Sequence, residues 1–271
     1  MNAWTPVSPC TTACLPAASP SVPLPAAAVR LAAVADHLAG TLPARARLAA
    51  PDERRRRARS LLDAMGVRVD VREDGREAPG GGLSVSGGVG TLVVANHVSW
   101  LDVLVLLSVE PVTMLAKQEI ARWPLLGALA RGCGTRFIDR GSLHALPRTV
   151  AALADLLRGG TSVMVFPEGT TRCGGAGGPF RRAVFQAALD ARAPVRPVAL
   201  AYLQRGAPTT VAAYVGDGTF TASFHRVLTA DALTARLDLR PAIRPLPGVD
   251  DRRALAARSR AVLAGHRTAA P

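Results

Sequence analysis

Short apolar runs alternate with helix-like stretches from residue 91 to residue 201, and this alternation restricts the fold more than any other feature of the 271-residue chain. Two parallel strands need a crossover connection, which is usually a helix, so the alternation indicates a layered α/β domain. We therefore predict a mixed, largely parallel sheet flanked by helices. The strands are predicted at residues 91–95, 112–116, 135–138, 162–166 and 195–201, near 210–215 and at 237–243.

Composition divides the chain into four regions. Residues 1–28 are rich in Pro, Ala, Ser and Thr and hold few large apolar side chains, which predicts a disordered tail. Residues 29–74 carry apolar residues at helical spacing between prolines, which predicts an N-terminal helical segment. Residues 75–90 are rich in glycine and are predicted to connect this segment to a main domain at residues 91–271.

The chain is strongly basic, with 33 Lys and Arg against 20 Asp and Glu and a formal net charge of +13. Such a charge suits an anionic partner: nucleic acid, a membrane surface or a phosphorylated substrate. Biased composition is the alternative explanation, since all but one of the basic residues are arginines. The arginines are spread along the chain without interleaved aromatics and no nucleic-acid motif is visible, so we expect no nucleic-acid partner.

Residues 54–59 hold the densest run of arginines, on a predicted helix whose first turn is acidic. A solvated helix face is the interpretation we favour. Contact with anionic headgroups is the alternative.

Four cysteines are too few and too scattered for a disulfide framework, which favours a reducing compartment. Cys10 and Cys14 have no histidine at a spacing usual for a zinc ligand set. We therefore expect no metal site.

No secretory signal or membrane-spanning segment is predicted. The first 29 residues contain no basic residue, and several prolines interrupt their apolar stretches. The longest apolar run, at residues 93–109, is broken by Asn96, His97 and Asp102, whereas a spanning helix needs about 20 mostly apolar residues. Membrane contact is therefore expected to be peripheral.

His97 and Asp102 lie where the first strand of the main domain ends and a helix begins. Sites in α/β sheets form outside the carboxyl ends of the strands. An imidazole can take a proton from a hydroxyl, and a carboxylate on its other nitrogen fixes the tautomer. The pair is predicted to act in acid–base catalysis, although a helix-capping or core role is the alternative for an isolated pair.

Two further polar turns follow predicted strands. Arg140 comes after the strand at 135–138 and offers a planar group suited to a phosphate, with a surface ion pair as the alternative. Glu168, Gly169, Thr170 and Arg172 follow the strand at 162–166. There the carboxylate can accept hydrogen bonds from a polyol, glycine permits close approach of a substrate, and the arginine adds positive charge.

Together these segments resemble the glycerolipid acyltransferases, whose best-known members are the 1-acylglycerol-3-phosphate (lysophosphatidate) acyltransferases. The resemblance spans about residues 90–201. Its four blocks are the His-x4-Asp pair at His97, the strand ending before Arg140, the Phe-Pro-Glu-Gly-Thr loop at 166–170 and the proline-containing strand at 195–197. The segment around Lys117 also matches. Members often carry an arginine directly after the Glu-Gly-Thr, where this chain has Thr171.

The resemblance implies transfer of a fatty acyl group from acyl-CoA or acyl carrier protein, as co-substrate thioester, to the hydroxyl of a lysophospholipid acceptor, giving phosphatidic acid. His97 is then the general base and Asp102 its orienting partner. The acceptor is held by the basic and loop residues of the blocks: Arg140, Lys117, Glu168, Gly169, Thr170 and Arg172. No cofactor is expected.

The resemblance also implies a location: a cytoplasmic enzyme in peripheral contact with the inner face of the cell membrane, through the predicted helices at 29–65 or the surface around the acyl site. Two alternatives stay open: acyl transfer to another lyso-lipid, such as lyso-ornithine lipid, and a non-catalytic protein that binds anionic membranes or nucleic acid. The glycine-rich segment 216–220 lies outside the four blocks and is predicted to be a turn.

Overall fold

In the computed structural model, residues 7–73, 75–78, 80–138, 144–174, 177–246 and 248–264 are described. Nine strands within these residues form one sheet in the order β2-β1-β9-β7-β3-β6-β4-β5, and β8 pairs with β7. The strands are β1 (Val67–Glu73), β2 (Arg76–Glu77), β3 (Leu92–Ala95), β4 (Thr113–Lys117), β5 (Arg136–Ile138), β6 (Val163–Val165), β7 (Val195–Gln204), β8 (Ala207–Pro208) and β9 (Leu233–Leu239).

The central part of the sheet is parallel. Strands β7, β3, β6, β4 and β5 pair in parallel, and β9 joins the other edge of β7 in the antiparallel sense. The predicted fold class, a mixed and largely parallel sheet flanked by helices, is confirmed.

Helices cover both faces of the sheet. They are α1 (Leu24–Thr41), α2 (Pro51–Ala64), α3 (Leu101–Val109), α4 (Pro124–Gly132), α5 (Leu146–Arg158), α6 (Ala183–Ala191), α7 (Phe220–Thr229) and α8 (Arg252–Ala264). Side chains alternate along a strand, so Val93 and Ala95 of β3 join the core formed with α2, α3 and α7, whereas Leu92 and Val94 join the core formed with α5, α6 and α8. Both faces are therefore buried, as parallel sheets require.

The N-terminal segment differs from the expectation of a disordered tail. In the structure, residues 7–23 lie along the body of the protein and α1 begins at Leu24. Val22 N donates to Thr229 O at 2.9 Å, and Ser8 Oγ donates to Thr171 O at 2.9 Å. Hydrogen bonds to the rest of the protein hold this segment in place, so it is ordered although it contains few large apolar side chains.

The predicted boundary between an N-terminal helical segment and a main domain also differs from the structure. β1 pairs in parallel with β9 over seven residue pairs, from Val67 and Leu233 to Glu73 and Leu239. Helix α2 packs against α3, with Leu62 buried in their shared core. The helices before β1 therefore belong to the same folded unit as the rest of the chain.

Between residues 205 and 239 the structure departs from the predicted elements. Residues 210–215, predicted as a strand, form a buried loop, and α7 occupies a stretch for which no helix was predicted. Its N-cap is Thr219, whose hydroxyl accepts from Ala222 N at 3.2 Å. A capping threonine was the available signal, but aromatic and β-branched residues, which are weak helix formers, dominate the sequence that follows.

The arginine run on α2 is not simply a solvated face. Arg55 Nε and Arg59 Nε donate to Ser108 O, at 3.4 and 2.8 Å, near the C-terminus of α3. Arg57 Nε donates to Glu53 at 2.8 Å on the same helix. Part of this run therefore joins α2 to the carbonyl end of α3, where positive charge is favourable.

Candidate active site

The carboxyl ends of the parallel strands bring the predicted site segments to one edge of the sheet. His97 follows β3, and Glu168 follows β6. Lys117 is the last residue of β4 and pairs in register with Ile138, the last residue of β5. Arg140 lies outside the described residues, two positions after Ile138. Because β3, β6 and β4 are neighbours in the sheet, His97, Glu168 and Lys117 lie after or at the ends of adjacent strands.

His97 and Asp102 form a hydrogen-bonded pair. His97 Nδ1 lies 2.8 Å from Asp102 Oδ2, and the Asp102 side chain is fully buried whereas that of His97 is 20% exposed. The carboxylate belongs to the first turn of α3 and also accepts from Val98 N at 2.7 Å and Ser99 N at 3.0 Å. With Nδ1 donating to Asp102, Nε2 is the nitrogen left to meet a substrate hydroxyl.

Tyr202 completes the surroundings of Asp102, and the sequence did not single it out. Tyr202 lies near the C-terminal end of β7, and its hydroxyl donates to Asp102 Oδ1 at 2.7 Å. Burial, and then the charge of Asp102, raises the pKa of Tyr202 well above its usual value, so the phenol stays protonated and remains a donor. A tyrosine among the alanines and leucines of a buried strand was the signal, but the sequence pattern alone indicates core packing.

We expect Tyr202→Phe to lower the free energy of unfolding by about 1–3 kcal/mol, because a buried carboxylate oxygen would lose its hydroxyl donor. Urea denaturation measures this change. Tyr214→Phe is the matched control, since the Tyr214 hydroxyl has no hydrogen-bond partner within the described part of the chain. Equal stability of the two variants would contradict the role given to Tyr202.

The Phe-Pro-Glu-Gly-Thr loop packs directly on the histidine. The rings of Phe166 and His97 are stacked, with centroids 3.9 Å apart and an interplanar angle of 12°. Arg172 N donates to His97 O at 2.7 Å. Gly169 adopts φ +78°, a conformation that favours glycine. The imidazole plane is therefore held from one side by the loop and from its edge by Asp102.

Glu168 and Arg172 form an ion pair inside this loop. Arg172 Nε lies 3.6 Å from Glu168 Oε2, and the Glu168 side chain is 1% exposed whereas that of Arg172 is 27% exposed. Thr170 is also buried. Gly178 lies against the arginine, and a Cβ at this position would stand 2.6 Å from Arg172 Nε. The guanidinium is therefore positioned by a carboxylate and by a close glycine.

Aromatic residues of α7 adjoin the start of α3. Trp100 Nε1 donates to Ser223 Oγ at 3.1 Å, and the Trp100 ring lies 5.3 Å from Phe220 and 6.1 Å from Phe224 between centroids. Phe220 is 36% exposed. This aromatic cluster borders the turn that carries His97, which makes it an apolar surface beside the His97 and Asp102 pair.

The structure also gathers three of the four cysteines next to the loop. The Sγ atoms of Cys10, Cys14 and Cys173 all lie within 4.8 Å of one another. Burial, followed by its thiol neighbours, raises the pKa of Cys173 to about 12. A hydrogen bond with the Thr11 backbone, followed by one with Cys173, lowers the pKa of Cys14. The prediction of no metal site rests on the spacing of Cys10 and Cys14 along the sequence, which does not show the approach of Cys173.

Among the described residues, no helix combines the length and the apolar character needed to cross a bilayer.

Comparison with known proteins identifies close relatives. A family model described as Acyltransferase matches residues 71–201. The chain is 36% identical over 180 residues to a 1-acyl-sn-glycerol-3-phosphate acyltransferase of Neisseria meningitidis, covering 66% of this chain and 67% of the relative. It is 38% identical over 157 residues to a lyso-ornithine lipid O-acyltransferase of Pseudomonas aeruginosa, covering 58% and 59%.

A solved structure shares the fold. The 1-acyl-sn-glycerophosphate acyltransferase PlsC of Thermotoga maritima superposes with a TM-score of 0.63 at 18% sequence identity, over 89% of this chain and 93% of that one. At this level of identity the likeness concerns the architecture, including the layers of helix and sheet described above.

Proposed function

Since the chain belongs to the acyltransferase family, we propose that it transfers a fatty acyl group from acyl-CoA or acyl carrier protein to the free hydroxyl of 1-acylglycerol-3-phosphate, giving phosphatidic acid. The observation that carries this proposal is the His97 and Asp102 pair, joined at 2.8 Å at the carboxyl end of β3. Such a pair can activate a hydroxyl for attack on a thioester without a covalent enzyme intermediate.

In the proposed reaction, His97 Nε2 accepts the proton of the acceptor hydroxyl as its oxygen attacks the thioester carbonyl carbon. The new C–O bond forms, the tetrahedral intermediate collapses, and the C–S bond breaks. The leaving thiolate takes the proton back from the imidazolium. Asp102 stabilises the imidazolium between these two steps, because its carboxylate remains hydrogen-bonded to Nδ1.

The acceptor headgroup is proposed to lie between the loop after β6 and the ends of β4 and β5. Lys117 at the end of β4, Arg140 beyond β5 and Arg172 supply positive charge for its phosphate. Glu168, Gly169 and Thr170 form the turn that shapes this side of the site. Holding the headgroup here would bring the free hydroxyl near His97, and such positioning can supply several kcal/mol of the rate enhancement.

A lyso-ornithine lipid is the second candidate acceptor. Four of the relatives, among them the Pseudomonas aeruginosa protein, bear the name of acyltransferases for this lipid. Its headgroup carries no phosphate, so it would make weaker use of the basic side chains proposed above.

Purified protein assayed against both acceptors, each with acyl-CoA and with acyl carrier protein, tests the proposal. We expect acylation of 1-acylglycerol-3-phosphate with the higher kcat/KM. Preferred acylation of lyso-ornithine lipid would transfer the assignment to the second candidate. Acylation of neither lipid by either donor would overturn both.

Gly178→Ala tests the role proposed for Arg172 without removing its charge. The new Cβ would collide with the guanidinium, so the side chain must leave its place beside Glu168. We expect a severalfold higher KM for the acceptor with little change in kcat. Gly88→Ala is the control, because a Cβ there meets no atom within 4 Å. An unchanged KM in Gly178→Ala would argue against contact between Arg172 and the acceptor.

Peripheral contact with the inner face of the cell membrane is part of the proposal. Helix α1 supports it with exposed apolar side chains: Leu24 is 85% exposed, Val29 69% and Leu31 51%. We expect Leu24→Ser with Leu31→Ser to reduce cosedimentation with phosphatidylglycerol vesicles. Leu246→Ser serves as the control, because Leu246 lies outside α1 and is as exposed as Leu31, at 51%. Unaltered cosedimentation of the α1 variant would exclude this helix as the contact.

A further inference from the structure

Three cysteines from distant parts of the sequence converge on one point. Cys10 precedes a short 3-10 turn near the N-terminus, Cys14 is the last residue of that turn, and Cys173 follows the loop after β6. Cys173 Sγ lies 3.1 Å from Cys10 Sγ, and Cys173 N donates to Cys10 Sγ at 3.2 Å. Cys10 is buried, whereas Cys14 and Cys173 are partly exposed. The cluster therefore has a closed inner side and an open outer side.

The backbone around the two N-terminal cysteines is fixed by contacts with the loop before α7. Gly216 N donates to Cys10 O at 2.8 Å, and Thr210 Oγ1 donates to Cys14 O at 2.8 Å. Asp217 accepts from the backbone N and the hydroxyl of Thr12, both at 3.2 Å. The thiols are thus presented by a hydrogen-bonded scaffold rather than by a free chain end.

We propose that Cys10, Cys14 and Cys173 together bind one thiophilic metal ion, with Zn²⁺ as the probe of that class. A Zn–S distance of about 2.3 Å places ligand sulfurs of a tetrahedral ion about 3.8 Å apart. The sulfur–sulfur distances in the cluster are close to this value: Cys10 Sγ and Cys173 Sγ are 3.1 Å apart, and all three sulfurs lie within 4.8 Å of one another. Small side-chain rotations would suffice to reach it.

The all-sulfur donor set selects the class of ion. Thiolates favour Zn²⁺ and Cu(I) over hard ions such as Mg²⁺ and Ca²⁺. Three protein ligands leave a fourth tetrahedral position, on the open side, for water or for a carboxylate. Asp217 interacts electrostatically with Cys14 and is the acidic side chain on this scaffold.

A metal ion accounts for the cluster better than a disulfide. A disulfide would join two of the sulfurs and leave the third without a role, whereas one ion uses all three. The third sulfur, that of Cys14, is brought to the other two by the hydrogen bond between Thr210 and Cys14 O.

The ion would connect the N-terminal segment to the catalytic centre. Arg172, which precedes Cys173, donates its backbone N to His97 O at 2.7 Å. Thr171 accepts from Ser8 Oγ through its carbonyl and donates its hydroxyl to Tyr214 O at 2.7 Å. Ligation at Cys173 would therefore restrain the loop that positions both His97 and Arg172.

Titration of the reduced full chain with Co²⁺, a spectroscopic substitute for Zn²⁺, tests the proposal. We expect one equivalent to bind, with the thiolate charge-transfer band and the intense visible bands of a tetrahedral site, and Zn²⁺ to displace it. A parallel titration with Cu(I) against a chromophoric chelator shows which ion of the class binds more tightly. Cys10→Ser, Cys14→Ser and Cys173→Ser should each weaken binding by about tenfold or more, since loss of even an outer-shell partner costs about 10- to 100-fold.

Cys133→Ser is the matched control, because Cys133 is the remaining cysteine and lies after α4, outside the cluster. Zn²⁺ should raise the unfolding temperature of wild type and Cys133→Ser but not that of Cys173→Ser. A cooperative unfolding transition in Cys173→Ser without Zn²⁺ shows that this variant folds. Co²⁺ spectra that are the same in wild type and in the variant lacking all three cysteines would overturn the proposal. Formation of only a Cys10 to Cys173 disulfide, with no bound ion under reducing conditions, would overturn it too.

Discussion

Replacing His97 by alanine is expected to lower the rate of acyl transfer by about 10²- to 10⁴-fold, the usual contribution of a general base. The fold should survive, because Asp102 keeps its hydrogen bonds from Val98 N, Ser99 N and the Tyr202 hydroxyl after the imidazole is gone. Initial rates with a labelled acyl donor, together with a thermal unfolding curve, measure the two effects separately.

The control for this variant is His225→Ala, which removes an exposed histidine of α7. It should leave the rate unchanged. If His97→Ala retained a rate within tenfold of wild type while folded, the base would have to be another group.

Asp102→Asn is expected to reduce the rate by up to about 10⁴-fold, because the neutral amide no longer stabilises the imidazolium. An asparagine at position 102 could keep hydrogen bonds to the same neighbours. The asparagine oxygen can take the place of Oδ2, which accepts from His97, Val98 and Ser99, while its amide donates to the Tyr202 oxygen in place of Oδ1. We therefore expect a folded protein that has lost charge but little geometry.

Steady-state rates and circular dichroism check this expectation, and Asp155→Asn serves as the control because its side chain is 75% exposed on α5. Asp102→Asn with a rate near that of wild type would show that the carboxylate only orients the ring. An unfolded Asp102→Asn would instead show that the charge is needed for the fold, and the predicted separation of charge from geometry would be wrong.

Local patterns predicted β3 and β6, the strands that carry His97 and the Phe-Pro-Glu-Gly-Thr loop, because these strands are buried on both faces and their apolar runs end abruptly at polar turns. β3, β4 and β6 begin and end within two residues of their predicted bounds. The prediction of the fold class is confirmed for the same reason, because buried strands give the apolar runs from which the sheet was predicted. The missed helix α7 lies where local preference is weak and the packing of Trp100 on Phe220 and Phe224 supplies the stabilisation instead.

Contacts between distant residues account for what the sequence could not show. Tyr202 and Asp102 are 100 positions apart, and Cys10 and Cys173 are 163 positions apart. No periodicity or spacing rule links side chains at such separations, since they meet only when β7 aligns beside β3 and the N-terminal segment reaches the loop after β6. The approach of the ends of β4 and β5 was likewise a matter of strand order rather than of sequence.

The pairing of β1 with β9 has a consequence for the order in which the protein is built during translation. β1 leaves the ribosome early, yet its parallel partner, Leu233–Leu239, is synthesised only after β3 to β8 have been made. Until then β1 has no strand on that side and β7 has an open edge, which is a hazard for unwanted pairing between chains. β1, the first strand to be synthesised, can therefore pair with β9 only after β9, the last strand, has been made. Until then the helices before β1 must stay in solution without aggregating.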